Sequence, residues 1–522
     1  MMTGASAGMP VPDRLRAAVG ADGIVTDPER LAGLSHDVAG PAGALPLCIV
    51  APETLPALQR AVAAATESGL AIVPRGGGMS YTGGYAPSAE GSVLFDMSRL
   101  SAVAEIDTAN RHAIVEAGCT WAALHDALRG TGFRPPSFGP LSGGASTVGG
   151  AVSHNAMFFG SGSAGSIAGS VLGLEVVLAD GRLLHTGALR PEAVDALPHG
   201  PDPTGLFVGD CGAFGIKARV ALRLAPVAGG EAFLSTAFDD PLAMLDAQTA
   251  LAGRPGLGEC FSFDRQAHRN ILDRRIGFRE KLGAVSGVAR GTGGLARAAR
   301  LPAEGLGFLE KADYSLHLSV EGDDARHATA RAEALRAELA QRGGADLPDT
   351  IPRVTRARPF GPITALLGPR GENWLPVHGV LGLARASGCM AALRDRLQAS
   401  AGDMADAGVT CTVLTVLAPG CLLMEPQFFW PDRLSPFHLA HATPEQVKLH
   451  REAPENPRGR ALVFELRNAT AEILRTHGAS HMQVGRYYPF LSRLTPAQAD
   501  IHRRLRAALD PDGRMNPGVL EN

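Results

Sequence analysis

Between residues 53 and 69 the apolar positions Leu55, Leu58, Val62 and Ala63 recur at helical spacing, and Gly69 supplies a stop. Residues 71–74 and 92–100 read instead as short buried strands, 103–118 as a hairpin around Thr108 to Asn110, and 120–130 as a helix. A second hairpin is predicted over 172–187, turning at Asp180-Gly181, a pair suited to tight hairpin turns. Beyond Ala225 the texture changes. Residues 313–322 form a predicted strand and 323–344 a helix; 374–384, 390–408 and 411–417 repeat the strand-helix-strand order, and 461–478 and the start of 496–522 are helical. Between them, 254–300 is rich in Arg and Gly and 279–305 is weakly periodic. This stretch reads as a surface excursion whose Arg290, Arg297 and Arg300 are either solvated or a docking patch. No repeat of 20–50 residues is visible. The pattern predicts an α+β protein: a first unit over residues 1–225, a second over 226–490 with an antiparallel sheet backed by helices, and a C-terminal segment over 491–522.

Composition narrows the function classes. Lys plus Arg (49) against Asp plus Glu (52) leaves a net charge of -3, so no global basic field invites nucleic acid. The 45% hydrophobic content excludes a wholly disordered chain. Seven cysteines without a Cys-x-x-Cys pair argue against a disulfide scaffold or structural zinc and for a reducing compartment. The first twenty residues carry Asp13, Arg14 and Arg16 and no apolar core of a signal peptide; the longest apolar run, 411–424, is broken by Pro419 and Gly420. A soluble, cytoplasmic protein without an integral membrane segment is expected. Glycine is the outlier: 64 of 522 residues, about 12% against a usual ~7%. Backbone must approach something closely in many places.

Gly160-x-Gly162-x-x-Gly165 matches the dinucleotide fingerprint, with Asp180 downstream, but no helix fits between it and the next strand, so a Rossmann site is disfavoured. No Gly-x-x-x-x-Gly-Lys-Ser/Thr exists, which disfavours a P-loop. RGGGMSYTGG (75–84) is the stronger candidate: glycines after a strand can turn N–H groups inward as a nest for phosphate, and lack of Cβ lets backbone touch a ligand. FGPLSGGASTVGGAVSHNAMFFGSG (138–162) has the same character; a glycine-rich loop without ligand is the alternative reading of each.

These residues carry a resemblance. Pro74-Arg75-Gly76-Gly77-Gly78 with Gly83-Gly84 resembles the pyrophosphate loop of the FAD-linked oxidases of the p-cresol methylhydroxylase and vanillyl-alcohol oxidase fold. Thr147-Val148-Gly149-Gly150, Asn155-Ala156 and the run from Val171 to Gly181 are similar to that family's second FAD segment. The run from Leu206 to Ile216 resembles its closing segment, with Asp210-Cys211-Gly212 where Ser-Glu-Gly usually stands, and 510–518 resembles the C-terminal turn that returns to the flavin. The resemblance implies a PCMH-type FAD-binding domain of two α+β subdomains with an α+β cap. It places Pro74, Arg75 to Met79 (with Gly76, Gly77 and Gly78) and Ser80 at the pyrophosphate. Pro140, Thr147, Gly149, Gly150 and Asn155 would line the cofactor, Ile216 would contact it through backbone, and Asn516 would sit near the ring.

The family oxidises alcohols, 2-hydroxy acids or para-substituted phenols, with hydride passing to flavin N5. The His-rich metal motif of its D-lactate branch has no counterpart in APGCLLMEPQFFWPD (418–432), and its Gly-Glu-His-Gly element is replaced by Ala479-Ser480-His481-Met482-Gln483-Val484-Gly485. The Tyr-Arg pair of the phenol-oxidising branch also lacks a match there. Neither flavin-linking histidine position is filled, so FAD is expected to be non-covalent and no metal is expected. As base, His378 and His481 offer an imidazole near its ordinary pKa of ~6.5, each with a structural hydrogen-bonding role as the alternative. Glu425 in an apolar strand is either a functional carboxylate or the partner of an Arg. Arg486 is a candidate bidentate anchor for a substrate carboxylate or else a surface ion pair, and Tyr488 is a reserve base. Phe428, Phe429, Trp430, Trp374 and Tyr487 are pocket or core aromatics; His438-x-x-His441 has ligand spacing but no carboxylate companion.

The expectation is therefore an FAD-dependent dehydrogenase or oxidase acting on an alcohol or 2-hydroxy acid. A phenol-type oxidase and a non-catalytic electron-transferring flavoprotein subunit are the alternatives. Its partners would be a small-molecule substrate and an electron acceptor (dioxygen, a cytochrome or another carrier), with a homodimer as a possible assembly.

Overall fold

The computed structural model describes residues 10–40, 43–190, 200–274, 286, 305–360 and 366–521. Helix Leu55–Glu67 starts where the Thr54 hydroxyl accepts the Ala57 N–H, and it buries Leu58, Ala61, Val62 and Ala65. It packs beside four strands, β1 (Ile24–Val25), β2 (Cys48–Val50), β3 (Ala71–Arg75) and β4 (Ser92–Asp96), arranged β1-β2-β4-β3 with β2 and β3 parallel to β4. Next come β5 (Val103–Asp107), β6 (His112–Glu116), β7 (Phe133–Arg134), β8 (Val171–Val177), β9 (Leu183–His185), β10 (Ile216–Arg223) and β11 (Ala225–Pro226). Five of these form an antiparallel sheet in the order β5-β6-β10-β8-β9, and β7 pairs β11 as a short ribbon. Both hairpins expected from the sequence are present, β5-β6 and β8-β9.

The third sheet contains β12 (Gly230–Phe238), β13 (Leu257–Asp264), β14 (Tyr314–Gly322), β15 (Ala345–Leu347), β16 (Asn373–Pro376), β17 (Gly379–Gly382), β18 (Thr410–Ala418) and β19 (Cys421–Trp430). Its order is β15-β12-β14-β13-β18-β19-β16, with β17 also on β19. Helices Ala325–Gln341, Ala386–Ala399 and Pro457–Thr476 share a core with this sheet. Phe261, Leu414, Val416 and Leu423 of the same sheet join the core of the second sheet instead. The cap is thus welded to the domain below it through apolar contact.

The Arg- and Gly-rich composition from 254 onward does not keep β13 from being a central strand with Cys260 and Phe261 buried. The excursion expected over 279–305, with Arg290, Arg297 and Arg300, lies outside the described residues except for 286 and 305. The structure corrects one reading of the sequence. The single strand expected over 374–384 is split at Val377-His378, since His378 N–H leaves the ladder and donates to the Tyr488 hydroxyl at 2.8 Å. Gly160 to Gly165 holds only the four-residue helix Ser161–Ala164, in keeping with rejection of a Rossmann site. Among the described residues no helix is long and apolar enough to cross a membrane.

The cap sheet buries an ordered run of polar groups. His268 Nδ1 donates to the Ala312 carbonyl (3.0 Å), and its Nε2 meets Ser315 Oγ at 2.7 Å. Ser315 Oγ lies 2.8 Å from His317 Nε2, and His317 Nδ1 lies 2.9 Å from Ser235 Oγ. One proton order satisfies every group only while both imidazoles are neutral.

Burial pushes His317 and His378 down to about 3 and His438 down to about 4. Unfolded, each returns to an ordinary pKa near ~6.5, so below that pH the unfolded chain binds more protons and stability is lost. Each histidine should cost about 1.4 kcal/mol per pH unit between pH ~6 and ~4. Urea midpoints measured at pH 7.5 and 5.5 should therefore drop steeply; equal midpoints would contradict the neutral, buried assignment.

Candidate functional site

At its C-terminal end β3 runs into the glycine loop, which faces residues 140–156 across a narrow cleft closed at one side by the start of β10. Pro74, Arg75, Gly76, Gly77, Gly78, Met79, Ser80, Pro140, Thr147, Gly149, Gly150 and Ile216 all line it. Asn155 and Asn516 do not. Asn155 sits in the left-handed region at the end of helix Val148–His154, its Oδ1 accepting the Ala168 N–H. Asn516 is fully buried.

The glycines are needed for contact between the two loops. A Cβ on Gly77 would lie 1.9 Å from the Ala145 carbonyl oxygen, and Gly78 has φ +73°, which L side chains rarely adopt. The Tyr85 hydroxyl braces the loop, lying 2.5 Å from the Gly78 carbonyl oxygen. Opposite, Thr147 Oγ1 accepts the Gly150 N–H at 3.1 Å and starts helix Val148–His154. Arg75 is buried among these turns. Its Nη1 donates to the Gly76 carbonyl (3.1 Å) and its Nη2 to His441 Nε2 (3.0 Å), and its Nε has no partner among the described residues. His441 is thereby occupied by a cation, which is incompatible with a metal ligand at the same nitrogen.

Among the cleft residues that escaped the sequence reading are His154, Cys211, Lys217 and Gln483. Lys217 pairs with Asp210, whose carboxylate also accepts the N–H groups of Gly212 (3.0 Å) and Phe214 (3.3 Å). Burial raises the Asp210 pKa against the pull of Lys217. This explains Asp210 in the closing segment: it holds the turn that presents Gly212 and Ile216. Cys211 Sγ accepts the Gly485 N–H at 3.4 Å and lies 3.7 Å from His154 Nδ1; burial pushes its thiol up to about 12. Gln483 Oε1 is buried with no partner among the described residues. A glycine cradle, a buried guanidinium with a spare N–H and an orphaned amide oxygen are complementary to an elongated ligand with an anionic centre and a ring bearing N–H groups. FAD has these features, and the residues fit it: residues 75–80, 147 and 150 would hold the diphosphate and Gln483 the more polar ring edge.

Two residues before Gln483 of the cleft lining, His481 Nδ1 donates to the His378 carbonyl at 2.8 Å, and its ring stacks on Tyr488 with centroids 3.8 Å apart and planes 7° from parallel. That bond fixes the tautomer and leaves Nε2 with its lone pair. Burial lowers its pKa to about 4, below the ordinary value assumed from sequence. His378 is fully buried, with Nε2 donating to the Met482 carbonyl (2.8 Å) and Nδ1 facing the Tyr81 hydroxyl (2.9 Å). Glu425 lies opposite Leu414 on β19; its partners are Tyr81 (2.9 Å) and Gln427 (2.7 Å), not an arginine, and burial raises its pKa. Tyr488 meets His378 through its hydroxyl. Arg486 is neither a surface ion pair nor a free anchor. Its Nε donates to the Pro517 carbonyl (2.9 Å), Nη1 to the carbonyls of Gly83 and Ala86, and Nη2 to Asn516 Oδ1 (2.7 Å) and Pro517 (2.8 Å). Every N–H is committed, which leaves none for a carboxylate. Phe428 and Trp430 are core residues.

Gly77→Ala should separate the two loops and lower flavin per polypeptide by at least about tenfold in purified protein, while Gly205→Ala, where nothing lies within 4 Å, should leave it unchanged. Full flavin content in Gly77→Ala would disprove the packing argument. Arg486→Lys removes the planar fork and should lower both flavin content and the thermal midpoint; a fluorescence melt with and without added FAD measures this.

Comparison with known proteins agrees with this geometry. Residues 46–187 match the FAD binding domain family and 473–520 the C-terminal domain of FAD linked oxidases. The glycolate oxidase subunit GlcD of Bacillus subtilis is 33% identical over 193 residues, 37% of this chain and 40% of that protein. The D-lactate dehydrogenase of Archaeoglobus fulgidus is 34% identical over 165 residues, 31% of this chain and 35% of that one. The chain thus spans less than half the length of either relative. The fold is shared much further: p-cresol methylhydroxylase with substrate bound superposes with TM-score 0.70 at 16% identity, covering 97% of this chain and 95% of that one. Alkyldihydroxyacetonephosphate synthase gives 0.68 at 16%, covering 98% and 86%. Residues 46–187 are thus similar to an FAD binding domain and residues 473–520, further along the same chain, to the C-terminal domain of FAD linked oxidases, on a fold shared with p-cresol methylhydroxylase, and the cofactor is FAD.

Proposed function

We propose that this protein is an FAD-dependent oxidoreductase that dehydrogenates the CH–OH group of an alcohol or 2-hydroxy acid without a metal. When bound, FAD supplies the acceptor for hydride. The observation that carries the reading is the fixed tautomer of His481, two residues from Gln483 of the cleft lining. Its Nε2 accepts the proton of the substrate hydroxyl, the carbonyl of His378 holds the ring in that tautomer, and Tyr488 fixes its plane. His378 acts as a positioning residue, since full burial keeps it from substrate. Glu425 and Tyr81 orient His378 in turn. The names of the relatives, glycolate oxidase subunit and D-lactate dehydrogenase, support the 2-hydroxy-acid class. Arg486 being committed elsewhere, the carboxylate of such a substrate is held by another group. FAD is retained non-covalently: Cys211, a cysteine lining the cleft, keeps its proton and its sulfur receives the Gly485 N–H.

Anaerobic stopped-flow with a panel of 2-hydroxy acids and alcohols tests the proposal by flavin bleaching. His481→Ala should slow bleaching by at least about 100-fold with flavin content intact. Because a protonated ring accepts no proton, the parent's rate should fall only as pH approaches about 4 and stay level through pH ~6.5. Near-parent rates in the variant would place the base elsewhere.

A further inference from the structure

Costly backbone gathers at one end of the cofactor cleft. Among the described residues six non-glycine positions have a left-handed φ, and four of them are Asn155 (+50°), Cys211 (+50°), Gln483 (+46°) and Asn516 (+43°). These four are tied together. Cys211 N–H donates to the Ser153 carbonyl (2.9 Å), Gln483 N–H to the His154 carbonyl (3.0 Å), and Asn516 Nδ2 to the Cys211 carbonyl (2.7 Å). Such conformations persist where the surroundings over-determine them, and they cluster at active sites and ligand clamps. Three of the four touch one titratable side chain or its backbone: His154 precedes Asn155, receives the Gln483 N–H and faces Cys211.

Burial, with Lys217 adding to it, lowers the His154 pKa to about 4, so the ring is neutral at physiological pH and carries one proton. Its neighbours decide which nitrogen holds that proton. Nδ1 lies 3.7 Å from Cys211 Sγ, which already receives the Gly485 N–H and keeps its own proton. The thiol proton has two acceptors in reach, the Gly209 carbonyl at 3.9 Å and the nearer, more basic imidazole nitrogen. With Nδ1 as the acceptor, the ring proton sits on Nε2. Nε2 has no hydrogen-bond partner among the described residues and is not sealed from solvent, for the imidazole is half-buried and lines the cleft. Its Cε1–Nε2 edge faces Gly84, another lining residue, where a Cβ would lie 3.2 Å from Cε1 and 3.9 Å from Nε2. The segment 481–485, which carries the proposed base, is bonded to His154 through Gln483 and to Cys211 through Gly485. A ring that takes hydride from a substrate at His481 therefore lies at this end of the cleft.

We infer that His154 Nε2–H, held in that tautomer by the Cys211 thiol, donates to the pyrimidine edge of the flavin ring and stabilises the reduced cofactor over the oxidised one. The inference rests on the proposed function for the end of the cleft at which the ring lies. Hydrogen bonds to the ring are among the means by which a protein sets flavin electronics. Reduction loads the pyrimidine edge with electron density, and a donor fixed beforehand gains most where charge develops. His154 is thus a ligand of the cofactor and Cys211 a positioning residue.

The midpoint potential of the bound flavin, read anaerobically against a reference dye during dithionite reduction, tests this without any substrate. His154→Leu should disfavour reduction at least about tenfold, which is about 30 mV for a two-electron couple. His154→Gln, which restores an N–H, should recover most of that loss, and Cys211→Ala, which frees the tautomer, should fall between. A histidine that only supports the fold would change flavin content and the thermal midpoint and leave the potential of the retained flavin at the parent value. Parent potentials in His154→Leu and Cys211→Ala overturn the inference, as does a loss in His154→Gln equal to that in His154→Leu. Where the leucine variant retains no flavin, Cys211→Ala decides alone, and a parent potential in it overturns the inference. Shifted potentials in an enzyme whose flavin no hydroxy acid or alcohol bleaches would overturn the proposed function alone.

Discussion

The guanidinium of Arg486 joins parts of the chain that are far apart in sequence. Its N–H groups reach the carbonyls of Gly83, Ala86 and Pro517 and the side chain of Asn516. Asn516 continues the junction by donating to the carbonyls of Gly84 and Cys211, both at 2.7 Å. The glycine loop, the turn before β10, the segment after the last cap helix and the C-terminal turn thus meet at one partly buried cation. Removing one partner would strand polar groups away from water, a cost of several kcal/mol in sum. The cofactor cleft and the His481 segment hold their relative position because both hang from this junction.

A boundary drawn after residue 225 separates units whose cores interpenetrate. Val38 and Tyr81, from the first unit, belong to the apolar cluster of the cap, and Phe261 and Val416 of the cap belong to that of the second sheet. Tyr81 follows directly on the glycine loop and bonds His378 and Glu425 in the cap. A displacement of the glycine loop is therefore felt at the carbonyl that holds His481. Rigid coupling of this kind suits a reaction whose donor and acceptor must be held close and aligned.

Much of this is legible in the chain itself. The cofactor loops are readable because their requirement is local: backbone that packs within van der Waals distance of other backbone demands glycine, and Gly77 and Gly149, each within a glycine run, display that demand directly. The hairpins are readable from alternation and turn residues. Strand β13 is not, because its burial depends on neighbours far away in sequence, β14 and β18. The same holds for single side chains. His154 and Gln483 join the cleft through tertiary approach alone. Arg486 looks like an available anchor because nothing local reveals that the acceptors of Gly83, Ala86, Asn516 and Pro517 surround it. Glu425 is visible as an anomaly in an apolar strand, but its partner, Tyr81, lies 344 residues away.

The backbone of residues 514–516 runs beside β3: Ile72 N–H donates to the Arg514 carbonyl (2.8 Å) and Asn516 N–H to the Ile72 carbonyl (2.7 Å). A nascent chain therefore has its glycine loop synthesised long before the segment that buttresses it, with the whole cap emerging in between. On the ribosome the cleft has no finished wall, and the strand that runs into the glycine loop has an unpaired edge awaiting its partner. Flavin retention therefore depends on residues 514–516 as much as on the glycine loop itself, because the strand that leads into the loop is held between neighbours drawn from opposite ends of the sequence.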